Sequence, residues 1–370
     1  METKWKEMKE KQEKITTPFK LRERTPEESR IKHKIKLGTD EKLRKHFLMA
    51  GGEIRIGRLL EEMDILAGVV AYNHAEGFHK ERKLTIVTAS VDRIELIKAI
   101  IPYYDIHMEG KVTYTGRSSM EIKILLSQTQ STEENGRKEQ NMVAYFTMVA
   151  RAAFENKSVP VHPLARKTKE DEDAYELGEG NRKIRMQSMK NSLYINPPNE
   201  EESTLLHQFF LSTVNKDEKS QSSITSTTLQ NTICMNPDKS NIHGKVFGGY
   251  LMRVGFELAH ATVHLHCGIT PRFVSLDENH FLHPVELGSI SKIKAQIVFT
   301  NDKRCVVQCE VMVMNPSTGQ QKRTNIFHFT FESPSGFKRK VIPITYQEGI
   351  TYLGGRRTYH KGKAFALAMR

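Results

Sequence analysis

The feature that most constrains this chain of 370 residues is an internal repeat. Residues 56–67 (IGRLLEEMDILA) align with residues 248–259 (GGYLMRVGFELA), and the offset is constant, since 249 − 57 and 259 − 67 both equal 192. In each segment the apolar residues recur every three or four positions, a spacing that places them on one buried face of a helix. The sequence therefore predicts one long, largely buried helix in each half of the chain.

The segments that follow the two predicted helices also match. Each helix leads into a run rich in β-forming residues, at 85–96 in the first half and at 272–282 in the second. Further strand-like runs follow in both halves. The last run of each half contains Tyr or His followed by Phe and Thr, at 145–147 and at 328–330. A long helix followed by antiparallel strands with short turns predicts an α+β fold, and a repeat of this length indicates a duplicated domain rather than a solenoid.

The stretch between the two copies is predicted to be an exposed connector. It contains Pro160, Pro163 and the acidic cluster 170–173, and one helical pattern at about 201–213. The predicted parts of the chain are a mobile charged leader (1–30), a first domain (31–155), a linker with a helix (156–226), a second domain (227–335) and a basic tail (336–370).

The positive charge of the chain is concentrated at its ends. The formal net charge is +12; residues 1–46 carry 15 Lys and Arg against 9 Asp and Glu, and residues 336–370 carry 8 against 1. The remainder is therefore near −1 (12 − 13), so the folded body does not form a basic platform for nucleic acid. Binding of RNA through the basic ends stays an alternative.

The cysteines and the N-terminus give weaker indications. The four cysteines lack paired zinc-ligand spacing, and no HExxH motif occurs, so the sequence predicts no metal. Cys305 and Cys309 would share one face of a strand as buried thiols, which fits a reducing compartment. No run is long enough for a membrane span, and we expect no membrane partner. The N-terminus has no apolar core of a signal peptide and too much Glu for a typical mitochondrial transit sequence.

Four stretches together resemble a known family. They are GRLLEEMDILAG (57–68), TGRSSMEIKI (115–124), NIHGKVFGGYLMR (241–253) and TNIFHFTFES (324–333). In this order and with this duplication they resemble the double hot-dog acyl-CoA thioesterases, in particular the acyl-CoA thioesterase 9 group, over about residues 31–355. The resemblance implies a tandem hot-dog fold in which each long central helix is wrapped by an antiparallel sheet. It also implies hydrolysis of acyl-CoA to free fatty acid and coenzyme A with no cofactor, assembly into a homo-oligomer, and a mitochondrial location, with the cytosol as the alternative.

The two copies differ at the positions that carry chemistry. Asp64 aligns with Phe256, and Asn241 aligns with Met49 (241 − 192 = 49), so neither copy has both polar groups. In related thioesterases an Asp and an Asn from opposite hot-dog halves act together. If the halves pair about a pseudo-twofold axis, the chain is expected to form one composite site and one inactive site.

The resemblance assigns a role to each polar group of the composite site. Asp64 would be the general base for water, and Asn241 would hold that water or the thioester carbonyl. The free N–H of Gly249, at the positive end of the second helix, would stabilise the oxyanion. The structural alternatives are an ordinary helix acid for Asp64, a turn residue for Asn241, and tight packing for Gly248 and Gly249.

Two turns are candidates for contact with the phosphates of coenzyme A. Arg117, Ser118 and Ser119 combine a cation with small hydroxyl groups, and Lys303 and Arg304 lie in the equivalent turn of the second copy. Plain hairpin turns are the alternative. Gly248 is a further candidate, because a glycine at the start of a helix lets a ligand approach the free N–H groups.

Two rival functions remain open from the sequence. A hot-dog enoyl-CoA hydratase or dehydratase would use one of His243, His280 and His283 with an acid, but no acid stands at a matched spacing. A non-catalytic acyl-CoA or RNA binder would depend on the basic ends of the chain.

Overall fold

The computed structural model describes residues 20–76, 84–129, 138–152, 157–214, 221–241 and 244–368. Each half contains one long helix followed by four strands, in the order that the repeat predicts. The α-helices are α1 (Pro26–Ser29), α2 (Glu41–His46), α3 (Ile56–His74), α4 (Lys169–Lys190), α5 (Glu200–Val214), α6 (Gly248–Cys267) and α7 (Tyr346–Ala368). The strands are β1 (Ile31–Ile35), β2 (Leu84–Leu96), β3 (Ile106–Thr115), β4 (Ser119–Thr129), β5 (Lys138–Ala152), β6 (Gln221–Ser223), β7 (Leu229–Cys234), β8 (Arg272–Phe281), β9 (Ile290–Thr300), β10 (Arg304–Met314), β11 (Gln321–Glu332) and β12 (Lys340–Ile342).

The two halves share one continuous antiparallel sheet. Its ten strands run in the order β1-β3-β4-β5-β2-β8-β11-β10-β9-β7, so β2 of the first half pairs with β8 of the second at the centre. This junction is antiparallel, with Val91 opposite Asn279 and Ile94 opposite Leu276. Strands β6 and β12 form a separate parallel pair. The predicted α+β tandem hot-dog fold is confirmed.

The helices α3 and α6 pack against the sheet through the apolar faces that the repeat predicts. On α3 the side chains of Leu59, Leu60 and Met63 are fully buried, and the sheet beneath α6 contributes the buried rings of Phe327 and Phe329. Burying one such side chain contributes roughly 1.5–3 kcal/mol, so these two layers supply much of the stability of the fold.

The two central helices meet near their N-termini in a pseudo-symmetric contact. A Cβ atom built on Gly249 would lie 3.0 Å from the Cα atom of Glu61, and one built on Gly57 would lie 3.1 Å from the Cγ atom of Arg253. These residues are related by the repeat, because 57 + 192 = 249 and 61 + 192 = 253. Glu61 and Arg253 also pair with each other, with 2.9 Å between Oε2 and Nε. The halves therefore pack about a pseudo-twofold axis that passes between these two side chains.

The linker differs from the prediction of an exposed connector with one helix. The acidic cluster 170–173 lies in the first turns of α4, where Thr168 and Asp171 form a capping box and acidic side chains favour the positive helix end. The helix docks on the sheet through Arg185, whose Nη1 lies 2.6 Å from both carboxylate oxygens of Asp92. Because α4 has little apolar periodicity, a hydrophobic pattern does not reveal it.

Both predicted terminal extensions also differ from the structure. Residues 1–19 of the leader lie outside the described residues, but Arg24 is buried and donates hydrogen bonds to the carbonyl groups of Asn73 and His74 at the end of α3. The basic tail contains α7, where Leu353 is fully buried and the ring of Tyr352 packs 5.5 Å from that of Phe299. These segments are parts of the fold. The prediction of a mobile leader was therefore wrong for residues 20–30, and the predicted basic tail contains a docked helix.

In the part of the chain that the structure describes, no helix combines the length and the apolar character needed to cross a membrane.

Candidate active site

Asp64 joins the two halves of the protein at the contact between the central helices. Its carboxyl group is 1% exposed. Oδ1 accepts a hydrogen bond of 2.8 Å from the hydroxyl of Thr88 on β2, and Oδ2 accepts one of 2.6 Å from the backbone N–H of Gly249 at the start of α6. The acid is therefore held by one group from its own half and by one group from the other half.

The environment of Asp64 favours the protonated carboxyl more than water does. Burial raises the pKa of Asp64 to about 6 from the ordinary 3.8, against the hydrogen bonds from Thr88 and Gly249, which lower it, while the neighbouring Glu61 raises it slightly. A carboxyl group with a pKa near 6 is a stronger base than an ordinary aspartate and is still ionised at neutral pH. These are the properties expected of a general base.

The N-terminus of α6 is built to approach this acid closely. Gly248 and Gly249 are the first two residues of the helix, and a Cβ on Gly248 would lie 3.2 Å from Oδ2 of Asp64. A Cβ on Gly249 would lie 2.6 Å from the ring of Phe247 and 3.0 Å from the Cβ of Asp64. Glycine is thus required by the packing. The sequence predicted a free N–H at Gly249. In the structure this N–H is not free, because it donates to the carboxylate of Asp64.

Asn241 lies in the hairpin that leads into α6. Its Oδ1 accepts a hydrogen bond of 3.1 Å from the backbone N–H of Lys245, and its own N–H donates to the carbonyl of the same residue. The hairpin is tied to the helix N-terminus, since the N–H of Phe247 donates to the carbonyl of Lys239. The turn role foreseen as the alternative for Asn241 is therefore present, and this turn lies directly before the two glycines.

Thr88 is a site residue that the sequence reasoning missed. The strand registers identify its counterpart in the second half. Thr88 lies opposite Met148 on β5, and the repeat relates Met148 to Phe331 on β11, because 331 − 148 = 183 is the offset between these closing strands. Phe331 lies opposite Phe273. The counterpart of Thr88 is thus Phe273. Comparing the two copies of this strand, as was done for the helices, would have found the difference.

The site is polar in one half and aromatic at the related positions of the other. Asp64 and Thr88 are hydrogen-bonded to each other, whereas their counterparts Phe256 and Phe273 form an edge-on ring pair with centroids 5.4 Å apart. Two phenyl rings cannot accept or transfer a proton. Of these two related positions, only the one with Asp64 can supply acid–base chemistry.

The candidate coenzyme A turns are hairpin turns in the structure. Arg117 is exposed, and the carbonyl groups of Arg117 and Ser118 accept hydrogen bonds from Val161 and Ala150. The carbonyl of Ser119 accepts from the N–H of Gly116, which closes the β3–β4 turn.

The equivalent turn of the second half is closed by Asn301, whose Oδ1 accepts from the N–H groups of Lys303 and Arg304. The side chain of Lys303 is exposed. Arg304 pairs with Glu332, with 3.0 Å between Nε and Oε2, and lines a cavity on the Phe256 side of the molecule.

The histidines of the hydratase alternative gain no support from the described residues. His243 lies outside them, as does the side chain of His280, and His283 is exposed. Cys305 and Cys309 are buried as predicted, and burial raises the pKa of both thiols, so neither is suited to act as a nucleophile. Within the described ranges no three His, Cys, Asp or Glu side chains cluster as metal ligands would.

Comparison with known proteins identifies the class. No family model matches the chain. The chain is 33% identical to mouse mitochondrial acyl-coenzyme A thioesterase 9 over 360 residues, which cover 94% of this chain and 80% of the relative. It is 34% identical to the human mitochondrial thioesterase 9 over 351 residues, covering 91% and 78%. An acyl-ACP thioesterase from Bacteroides thetaiotaomicron matches 84% of this chain and 100% of its own, with a TM-score of 0.50 and 14% identity, which shows the shared fold.

These relationships place the protein among the thioester hydrolases with a double hot-dog fold. The chain belongs to the acyl-CoA thioesterase family and resembles its members 9 and 10 along nearly its whole length.

Proposed function

We propose that acyl-CoA hydrolysis takes place at one composite site per chain, formed by Asp64 and Thr88 of the first half and by Gly249 and Asn241 of the second. The observation that carries this proposal is the hydrogen bond between Asp64 and the N–H of Gly249. Among the described residues at the helix contact, Asp64 is the only buried carboxyl group without a cationic partner. The bond joins this group to the positive end of a helix in the other half.

The general base is Asp64. Its ionised carboxylate takes a proton from a water molecule as that water attacks the thioester carbonyl. Thr88 fixes the orientation of the carboxylate through Oδ1, so that Oδ2 is the oxygen that accepts the proton. A buried base with a pKa of about 6 gains driving force for proton transfer without losing its charge at neutral pH.

The N–H of Gly249 serves the carboxylate first and the oxyanion afterwards. In the free enzyme it donates to Oδ2 of Asp64. As the carboxylate takes up a proton its negative charge disappears, and negative charge develops on the thioester oxygen instead. The same donor then stabilises the oxyanion at the positive end of α6. This sequence of contacts reconciles the predicted oxyanion role with a donor that is occupied in the resting site.

Asn241 supplies the second polar contact to the substrate or to the attacking water. Its turn precedes the two glycines at the start of α6 in the chain, and its side chain carries an amide that can bond a thioester carbonyl or a water molecule. Contact of Arg117, Ser118 and Ser119, or of Lys303, with the phosphates of coenzyme A remains part of the proposal. A mitochondrial location and a homo-oligomeric assembly are proposed from the resemblance to the mitochondrial thioesterases.

The repeat supplies a matched control for the role of Asn241. Free thiol release from a panel of acyl-CoA substrates is measured for the wild type, for Asn241→Ala and for Met49→Ala, the same change at the related position. We expect turnover of Asn241→Ala to fall roughly 10²-fold or more, as for loss of a group that positions a reacting water. Met49→Ala should retain turnover near the wild-type level. Equal turnover of all three proteins would refute the role of Asn241.

A further inference from the structure

A large cavity lies on the side of the molecule that the proposed chemistry leaves unused. Its volume is about 1200 Å³, above the roughly 300–1,000 Å³ typical of small-molecule sites. It extends from the loop before α3, around the end of β2 and the start of β8, to the C-terminal helix α7. Its lining includes Met49, Phe256 and Phe273, the counterparts of Asn241, Asp64 and Thr88. The cavity therefore occupies the place related to the composite site by the internal pseudo-symmetry.

Part of the buried lining of this cavity, which we call the twin cavity, is an apolar wall. Phe256 and Phe273 stack edge-on there, and Ile54, Ile56 and Pro271 line the same wall. His260 is buried beside Phe256, and burial lowers its pKa, so it is neutral at physiological pH. Buried polar side chains also line the cavity, and they bond to one another, since Arg93, Ser275 and Thr330 all donate to Asp277. The apolar wall can hold a hydrocarbon chain and contains neither the acid nor the hydroxyl of the composite site.

Two exposed cations of the twin cavity lie outside the ion pairs of the described residues. Arg272, next to Phe273, and Lys363 on α7 are both exposed and line the cavity, and neither has an ion pair among the described residues. The other cations of the lining are engaged: Arg93 pairs with Asp277 and Glu95, Lys98 with Glu139, and Arg304 with Glu332. Glu53 is the lining acid without an ion pair in the same part of the chain. Two such cations against one such acid leave a net positive charge in the lining, which favours an anion.

We propose that the twin cavity binds a second molecule of a coenzyme A thioester and does not hydrolyse it. The apolar wall accepts the acyl chain, and Arg272 and Lys363 contact phosphate groups. Hydrolysis is excluded there because Phe256 and Phe273 occupy the positions of the base and of its hydroxyl partner. This inference rests on the proposed function for the class of ligand, and on the cavity and its charges for the site.

The test is a binding stoichiometry measured with a thioether analogue, S-decyl-coenzyme A, which has no hydrolysable carbonyl. Isothermal titration calorimetry on the full chain should give about two equivalents per chain for the wild type. Arg272→Glu places a carboxylate where phosphate would bind, and Ala99→Trp adds bulk at an exposed lining position. Each variant should bind one equivalent, or bind the second at least about tenfold more weakly, with thiol release at low substrate unchanged.

The matched control is Lys292→Glu, which makes the same charge change at an exposed position of β9 that does not line the cavity; it should keep two equivalents. One equivalent for a wild type that hydrolyses acyl-CoA would overturn the twin site and leave the proposed function standing. A wild type without thiol release would refute the proposed function, whatever the stoichiometry. If ADP displaces the second equivalent as well as coenzyme A and the decyl chain adds no affinity, the assignment to a thioester is wrong.

Discussion

The carboxylate of Asp64 and the backbone N–H of Gly249 form a hydrogen bond of 2.6 Å, although 185 residues separate them in the chain. The bond ties a buried acid on one central helix to the positive end of the other. It exists because the two helices cross at their N-terminal turns, where glycine lets the backbone approach the acid. The pairing of the two halves thus creates a chemical environment that neither half has alone.

The pH dependence of hydrolysis should report the raised pKa of Asp64. The base must be ionised, so kcat/KM should fall as the pH decreases through about 6. The hydrogen bond from Thr88 lowers this pKa, because it stabilises the carboxylate. Thr88→Val should therefore shift the acidic limb of the profile to higher pH. Thr88→Ser, which keeps the hydroxyl, should restore the wild-type position, and a limb that does not move in Thr88→Val would argue against this contact.

The same burial should make the ionised form of Asp64 destabilise the folded protein. The folded protein holds the proton of Asp64 more tightly than the unfolded chain, because burial raises the pKa from 3.8 to about 6. The contribution of this group to the free energy of unfolding is fully present below the ordinary pKa. It is lost as the pH rises through about 6, and the free energy of unfolding falls by about 3 kcal/mol at most. Asp64→Asn should therefore raise the melting temperature at pH 8, and the gain should shrink at pH 5. A gain of equal size at both pH values would contradict this linkage.

Gly249 should tolerate no side chain. In Gly249→Ala the new methyl group would meet Phe247, Asp64 and the backbone of Glu61 within 3.0 Å or less. The helix start must move, and we expect thiol release to fall roughly 10²-fold, since small displacements of catalytic groups have effects of this size. Gly68→Ala is the matched control on α3, where a Cβ meets nothing within 4 Å. It should stabilise the protein by roughly 0.5–1 kcal/mol and keep its activity.

The C-terminal helix α7 should be required for folding. Leu353 is fully buried on this helix, and Arg357 pairs through two nitrogens with Glu202 of the linker helix α5. Leu353→Ala should lower the free energy of unfolding by roughly 2–5 kcal/mol in urea denaturation. Ile344→Ala, at a side chain that is 57% exposed just before the helix, should change it by less than about 0.5 kcal/mol. A similar small effect of both changes would show that α7 is dispensable.

The sequence predicts the core of this fold well, because the repeat and the apolar periodicity act together. The long helix predicted from the repeat at residues 56–67 is observed as Ile56–His74, and the β-rich run predicted at 85–96 is observed as the strand Leu84–Leu96. Buried helices and strands have strong hydrophobic patterns, since one face must leave water. The comparison of the two copies also singles out Asp64, which the structure places at the contact between the halves.

The parts that the sequence did not reveal lack a strong apolar pattern. Helix α7 was interpreted only as a basic tail, although Leu353 on it is fully buried. Helix α4 and the ordered residue Arg24 are attached through ion pairs and hydrogen bonds. Such contacts depend on partners far apart in the chain, which no local pattern contains. The same applies to the occupied N–H of Gly249, because its acceptor comes from the other half.

The most direct test of the composite site is steady-state thiol release by Asp64→Asn beside Glu62→Gln, a neighbouring acid on the same helix. Asn keeps an oxygen that can accept from Gly249 and a group that can bond Thr88, so the site should remain folded. The account predicts that Asp64→Asn loses roughly 10²–10⁴-fold in kcat while Glu62→Gln stays near the wild type. Undiminished turnover of a folded Asp64→Asn protein would contradict it.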